Sequence, residues 1–196
     1  MHRAARYSES VMGASMFKFK NAVTALIAAC VLCGPALSAD SDASLLDQLR
    51  AADPVEAKRI ERQIRMDWSR SGSPTMDLLL KRGRDAMEAG EVELAVGHLS
   101  ALTDHAPDFA EGWHARAMVF FQEDEMGLAI HDLEQVLALN PRHFGAIYGL
   151  GVVMESLDRI QDAYAMYERV LEIHPNHEDA REGADRLNIR VNGTEI

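Results

Sequence analysis

Residues Trp68 to Pro74, WSRSGSP, gather three serines and a glycine around an arginine, a composition that suits a nucleophile loop or a phosphate cradle. A serine nucleophile is weak until an adjacent base takes its proton, and the first histidine after this stretch is the distant His98. Further histidines are His105, His114, His131, His143, His174 and His177. A metal site needs three or four ligands converging on one point. His174-Pro-Asn-His177 offers two in a turn, and no acidic or histidine pair at helical spacing completes the set, so these histidines read as solvent-exposed turn residues. The carboxylates read as solvated helix faces, crowded at Glu123-Asp124-Glu125, whereas a catalytic pair needs an enclosed cleft to separate its pKa values. Gly149-Leu-Gly151 has no strand before it, as a dinucleotide loop requires, and no GxSxG elbow, Walker loop or HExxH pattern is present. These residues predict no enzymatic activity, no metal and no cofactor.

What remains is to ask what elements the chain builds and what they could hold. With 196 residues there is room for one domain and an appendage, and 47% hydrophobic residues suffice for a core. Aromatics are scarce at 6%, and Ala, Leu and Met prevail, which favours helix. The N-terminus stands apart. A basic stretch from Met16 to Asn21, an apolar run from Ala22 to Leu32, a Gly34-Pro35 break and the small residues Ala36 to Ala39 follow the order of a secretory signal. Residues 1–39 are expected to be that signal, with Met16 as an alternative start and cleavage after Ser38 or Ala39. The apolar run is weak and ends in Gly-Pro, which disfavours a membrane span. Ile27-Ala-Ala-Cys30 has a second reading, a lipoprotein box that would acylate Cys30. Both cysteines, Cys30 and Cys33, lie in this segment, so the remainder is expected to be a periplasmic or otherwise exported chain held by packing alone. Losing residues 1–39 removes four basic side chains and one acidic one, which takes the net charge from −11 to −14. A chain this acidic repels phosphate backbones and anionic head groups, so nucleic acid and membrane insertion or adsorption are not expected.

Pro107, Pro141 and Pro175 stand 34 residues apart. Twelve residues before each is an alanine (Ala95, Ala129, Ala163), and twelve before those is a small residue (Gly83, Ala117, Gly151). A period in this range means a solenoid of one repeated unit. Bulky residues fill further columns, among them Leu79, Trp113 and Ile147, and Leu99, Leu133 and Tyr167. Offsets of three, four and seven between the columns are helical. Each unit therefore holds two helices, with turns at Gly90-Glu91, Asp124-Glu125 and Asp158-Arg159. The small columns are expected to face the alanine columns and let the helices approach closely.

These columns resemble the tetratricopeptide repeat (TPR), through Trp113, Ala117, Phe120, Ala129, Leu133 and Pro141, and again through Ile147, Gly151, Ala163, Tyr167 and Pro175. The resemblance implies an all-α, right-handed solenoid of helix-turn-helix units with N- and C-terminal capping helices. The expected layout is a helical N-terminal extension over 40–75, units over 76–109, 110–143 and 144–177, and a capping helix and tail over 178–196. Glu178 to Leu187 reads as the polar cap, with a frayed tail from Asn188. Back at WSRSGSP, the repeat phase predicts a joint, with Ser73 as N-cap, Pro74 at the first helical position and Trp68 covering the flank of the first unit.

The family's first helices line a concave groove that binds other proteins. By resemblance, the groove here takes Leu80, Arg84, Met87, His114, Met118, Phe121, Tyr148 and Val152, together with Asp77, Glu111 and Glu155. Some members clamp a C-terminal carboxylate with Lys, Asn and Arg; here only Arg84 could serve an acid. The expected partner is an apolar or amphipathic protein segment, anchored on His114, Phe121 and Tyr148. The competing reading is that some of these side chains are core or lie beneath the N-terminal extension. Function is therefore expected to be that of a non-enzymatic scaffold or adaptor of the cell envelope. Alternatives are an assembly factor acting by self-association or its convex face, and an accessory subunit of an envelope enzyme.

Overall fold

Prolines and left-handed turn residues divide the chain into helices. The computed structural model describes residues 36–193; residues 1–35, with the expected leader and both cysteines, and residues 194–196 lie outside the described residues. Within that range the helices are α1 (Ala36–Ala51), α2 (Pro54–Trp68), α3 (Pro74–Glu88), α4 (Val92–His105), α5 (Ala110–Gln122), α6 (Met126–Leu139), α7 (Phe144–Ser156), α8 (Ile160–Ile173) and α9 (Glu178–Asn192). The expected cleavage point thus falls in the first turn of α1, and α9 continues four residues past the predicted start of the frayed tail at Asn188. No helix among the described residues is long and apolar enough to cross a membrane.

Local chemistry sets the boundaries. Asp53 caps α2, its Oδ1 accepting the Val55 and Glu56 N–H groups at 2.9 and 3.0 Å. Ser73 occupies the N-cap position of α3, but its hydroxyl makes no capping bond. Instead Asp77 Oδ1 reaches back to accept the Ser71 N–H at 2.8 Å and the Ser71 hydroxyl at 2.6 Å, across the left-handed Gly72. The paired helices α3–α4, α5–α6 and α7–α8 turn through Gly90, Asp124 and Asp158, at φ of 73°, 62° and 56°. A left-handed backbone is unfavourable for an L-residue with a Cβ, and Asp tolerates it better than most.

Packing follows the sequence columns with one change. The small column meets the bulky column rather than the alanines: a Cβ on Gly83 would lie 2.5 Å from Leu99, and one on Gly151 would lie 2.6 Å from Tyr167. Tyr167 is also pressed by Gly183 of α9, where a Cβ would again come within 2.6 Å. Successive pairs stack, with α3, α5 and α7 neighbouring one another and α9 closing the far end against α8. Ala180, Gly183, Ala184 and Leu187 of α9 are buried.

The N-terminal helices break the stacking order. Trp68 does not cover α3; it stacks on His143 at 4.3 Å and lies against Phe144 at 5.1 Å, at the start of α7. Leu46, Leu49, Ala57, Ile60 and Ile64 are buried in one cluster with Phe144, Ile173 and Ala180. Polar bonds join the same surfaces: Arg50 to the Glu172 carbonyl at 2.8 Å, Asn176 to the Ala52 carbonyl at 2.9 Å, and His174 to Glu61 at 3.2 Å. Burying a large aliphatic side chain contributes about 1.5–3 kcal/mol. Exposed pairs such as Lys58–Glu178 at 3.0 Å contribute about 0–1 kcal/mol. The apolar cluster therefore drives this docking, and the polar bonds fix its register.

Candidate functional site

The helices α5 and α7 form the walls of a pocket of about 440 Å³, and α2 and the start of α9 close its end. Five of the eight residues predicted to line a groove meet there: His114, Met118 and Phe121 from α5, and Tyr148 and Val152 from α7. The other three do not join them. Leu80 is 2% exposed in the core between α3 and α5, with Met87 packed against it. Arg84 lies beside a separate charged trough with Asp77, Lys81 and Glu88. Glu155, expected on the groove wall, instead accepts the Tyr167 hydroxyl at 2.8 Å and pairs with Arg186 at 2.8 Å. Sequence reasoning missed Gly145, Gly149, Arg65 and His177 on the pocket. Arg65 enters through the docking of α2, which no repeat column records, and His177 enters at the start of α9.

Beneath the pocket lies a buried polar knot centred on Glu111. Its Oε1 accepts from Arg84 and from His114 Nδ1 at 3.3 Å, and its Oε2 accepts from His143 Nε2 at 3.0 Å. Arg84 also donates to Ser69 Oγ at 3.2 Å, so the WSRSGSP joint is tied into the same knot. Burial alone would raise the Glu111 carboxyl, but the two imidazoles outweigh it and hold it well below the carboxylate range. Burial pushes His143 down, which keeps it neutral. A second buried carboxylate, Asp132, takes Arg116 in a two-pronged pair at 2.7 and 2.9 Å, and Arg116 also donates to Thr103 Oγ1 at 2.9 Å.

These knots correct two expectations. Glu111 and Asp132 are not solvated faces, and His143, His174 and His177 are buried rather than solvent-exposed turn residues. Two of them are helix caps: the Nδ1 atoms of His143 and His177 accept the Ala146 and Ala180 N–H groups at 3.0 and 3.2 Å. The signal was available, since these histidines stand 34 residues apart and each lies two past a column proline.

A set of ligand-type residues therefore does converge, contrary to the sequence expectation. The ligand atoms of Glu111, His114 and His143 lie within 4.8 Å of one another. The donor chemistry does not suit a cation. His143 Nδ1 is committed as an acceptor to Ala146, so the nitrogen facing Glu111 must carry the proton. Ligation would demand an imidazolate or loss of the cap, and Arg84 already neutralises the carboxylate. The knot is closed by protons, and its chemical capacity is to hold rings and helices in fixed positions.

The fold and groove define an α-solenoid of helix pairs, and comparison with known proteins places it. Tetratricopeptide repeat profiles match residues 80–132 and 120–184. A TPR repeat-containing protein of Rhizobium etli is 33% identical over 153 residues, spanning 76% of this chain and 75% of the relative. The chain belongs to the tetratricopeptide repeat family. Among solved structures, the crystal structure of MamA is 26% identical with a TM-score of 0.57, covering 62% of this chain and 72% of that one. The first TPR of Spaghetti bound to an HSP90 peptide is 23% identical with a TM-score of 0.59, covering 61% of this chain and 95% of that one. TPR domains commonly mediate contacts between proteins.

Proposed function

We propose that this protein is a non-enzymatic adaptor that holds an apolar or amphipathic segment of a partner protein in the α5–α7 pocket. The observation that carries this reading is the pocket itself: about 440 Å³ lined by Met118, Phe121, Tyr148 and Val152, closed at one end by α2. Exposed aromatic and methionine side chains are adaptable anchors for a partner. An acidic C-terminal tail, of the kind an HSP90 peptide presents to Spaghetti, is a poor fit here. Arg84 is already consumed by Glu111, and Arg65 is paired with Glu61 at 2.7 Å. The leader-like residues 1–39 support placement in the periplasm or another exported compartment, where the adaptor would serve envelope proteins.

The test replaces His114, Phe121 and Tyr148 together with alanine and repeats a cross-linked pull-down from the native source. Loss of discrete partners is the expected result; an unchanged set contradicts the groove reading. A second reading, self-association, is favoured by the flank of α3 that α2 leaves uncovered. Met76, Leu78, Leu79 and Ala101 line a recess there, and Leu78 is 45% exposed. Under that reading the wild type shows a concentration-dependent mass in sedimentation and Leu78→Glu is monomeric.

A further inference from the structure

Glu111 does more than anchor a helix, because it dictates which hydrogen-bonding sense His114 shows to the pocket. An ionised carboxylate can only accept, so the His114 nitrogen it touches, Nδ1, must carry the proton. In the neutral ring the other nitrogen, Nε2, is then a bare acceptor. It sits at the pocket floor, about where a side chain on Gly145 would meet it at 3.4 Å, and it has no hydrogen-bond partner among the described residues. Around it Met118, Phe121, Tyr148, Val152 and Val153 make apolar walls, and Arg65, Gln122, His177 and Asp179 complete the lining.

An acceptor at the bottom of an apolar pocket selects its occupant. An aliphatic side chain would bury the lone pair unpaired, which costs a site much of its affinity. A carboxylate brings a second acceptor and meets no free cation, since Arg65 is turned to Glu61 and lies over the Phe144 ring at 5.2 Å. An ammonium would lose its hydration against apolar walls. An aromatic body with an N–H or O–H at its edge satisfies both the walls and the lone pair. We infer that the pocket takes a tryptophan or tyrosine side chain of the partner segment, donating to His114 Nε2, with Glu111 as the positioning residue that fixes the acceptor. This deepens the groove reading above and rests on it.

The experiment titrates the full-length protein with indole, 1-methylindole and N-acetyl-leucine amide, following backbone amides and imidazole nitrogens by 15N NMR. Three results are expected. His114 is found protonated at Nδ1, the tautomer that free histidine disfavours. Indole moves the Gly145 and Gly149 amides and binds at least about twofold more tightly than its N-methyl analogue, the lower range for one neutral hydrogen bond. His114→Leu keeps 1-methylindole binding and loses the preference. Comparison of the probes on the wild type decides the matter even if His114→Leu fails to fold. Equal binding of the two indoles in the pocket, tighter binding of the leucine amide, or a His114 protonated at Nε2 overturns the donor rule and leaves the groove standing. Failure of every probe to move pocket resonances overturns the groove reading along with it.

Discussion

The buried carboxylates are the residues on which the fold most depends. Asp132 is 1% exposed, and Arg116 joins it to Thr103 and so ties α4, α5 and α6 together. Removing one partner of a buried pair leaves an uncompensated charge, which typically costs about 3–5 kcal/mol. Arg116→Ala is therefore expected to lose that amount in urea unfolding, whereas Arg116→Met with Asp132→Leu recovers most of it. This scale was the least legible in the sequence. Glu111, His114 and Asp132 sit in helical runs among other polar residues, and nothing in their spacing marks them as buried. The apolar anchors were easier, because the resemblance to the tetratricopeptide repeat points to Met118, Phe121, Tyr148 and Val152. Leu80 and Met87 were misplaced for a packing reason: the flank of the α3–α4 pair has no earlier pair to stack on, so α3 turns these side chains into its own core with Leu99 and Leu102.

At the scale of elements, the columns of small residues and turn residues were legible because they repeat, and repetition turns a weak local signal into a strong one. Their energetics differ from place to place. At Gly83 the obstacle is the branched end of the buried Leu99, its Cγ and Cδ2 both at 2.5 Å, while at Gly151 and Gly183 it is the stiffer ring of Tyr167, held on both sides. Gly151→Ala should cost about 1–3 kcal/mol as overpacking, and Gly83→Ala should cost less; thermal unfolding ranks the two. The turns give a change of the opposite sign. Asp124 holds φ at 62° without a side-chain bond among the described residues, so Asp124→Gly should stabilise the protein by about 1 kcal/mol by removing the left-handed penalty. An unchanged or lower melting temperature would show that Asp124 contributes something its geometry does not reveal.

For the molecule as a whole, the docking of α2 onto α7–α9 gives an open solenoid a pocket closed at one end. Counting back by the repeat placed α2 before α3. Carried back another 34 residues, the small and alanine columns fall on Leu49 and Glu61 and so break off, and only the tertiary structure shows where those residues went. Glu61 meets His174, and that hydrogen bond, with help from Arg65, lowers its carboxyl from 4.5 to about 2 despite partial burial. A depressed carboxyl contributes stability above its ordinary value and loses it as the pH falls through about 2. Burial holds the imidazoles of His143 and His177 below 6.5, so the unfolded chain binds protons first and stability also falls as pH drops from 6.5. Both effects have the same sign. Stability should be greatest above 6.5 and decline in two stages on acidification. Trp68, stacked on His143, should report the loosening through a change in emission, read in a Trp113→Phe background. Glu61→Gln should shrink the loss below 4.5, which Glu111 shares, and weaken the docking at neutral pH. The central claim, that the pocket between α5 and α7 is where a partner protein is held, is tested most directly by site-specific photo-cross-linking in the native source. Met118 on the pocket and Leu128 on α6 are 44% and 47% exposed, so a photoreactive residue at either has similar access. Discrete protein adducts are expected from position 118, disappearing with Phe121→Asp, and none from position 128. Adducts from position 128 with none from position 118 would contradict the claim.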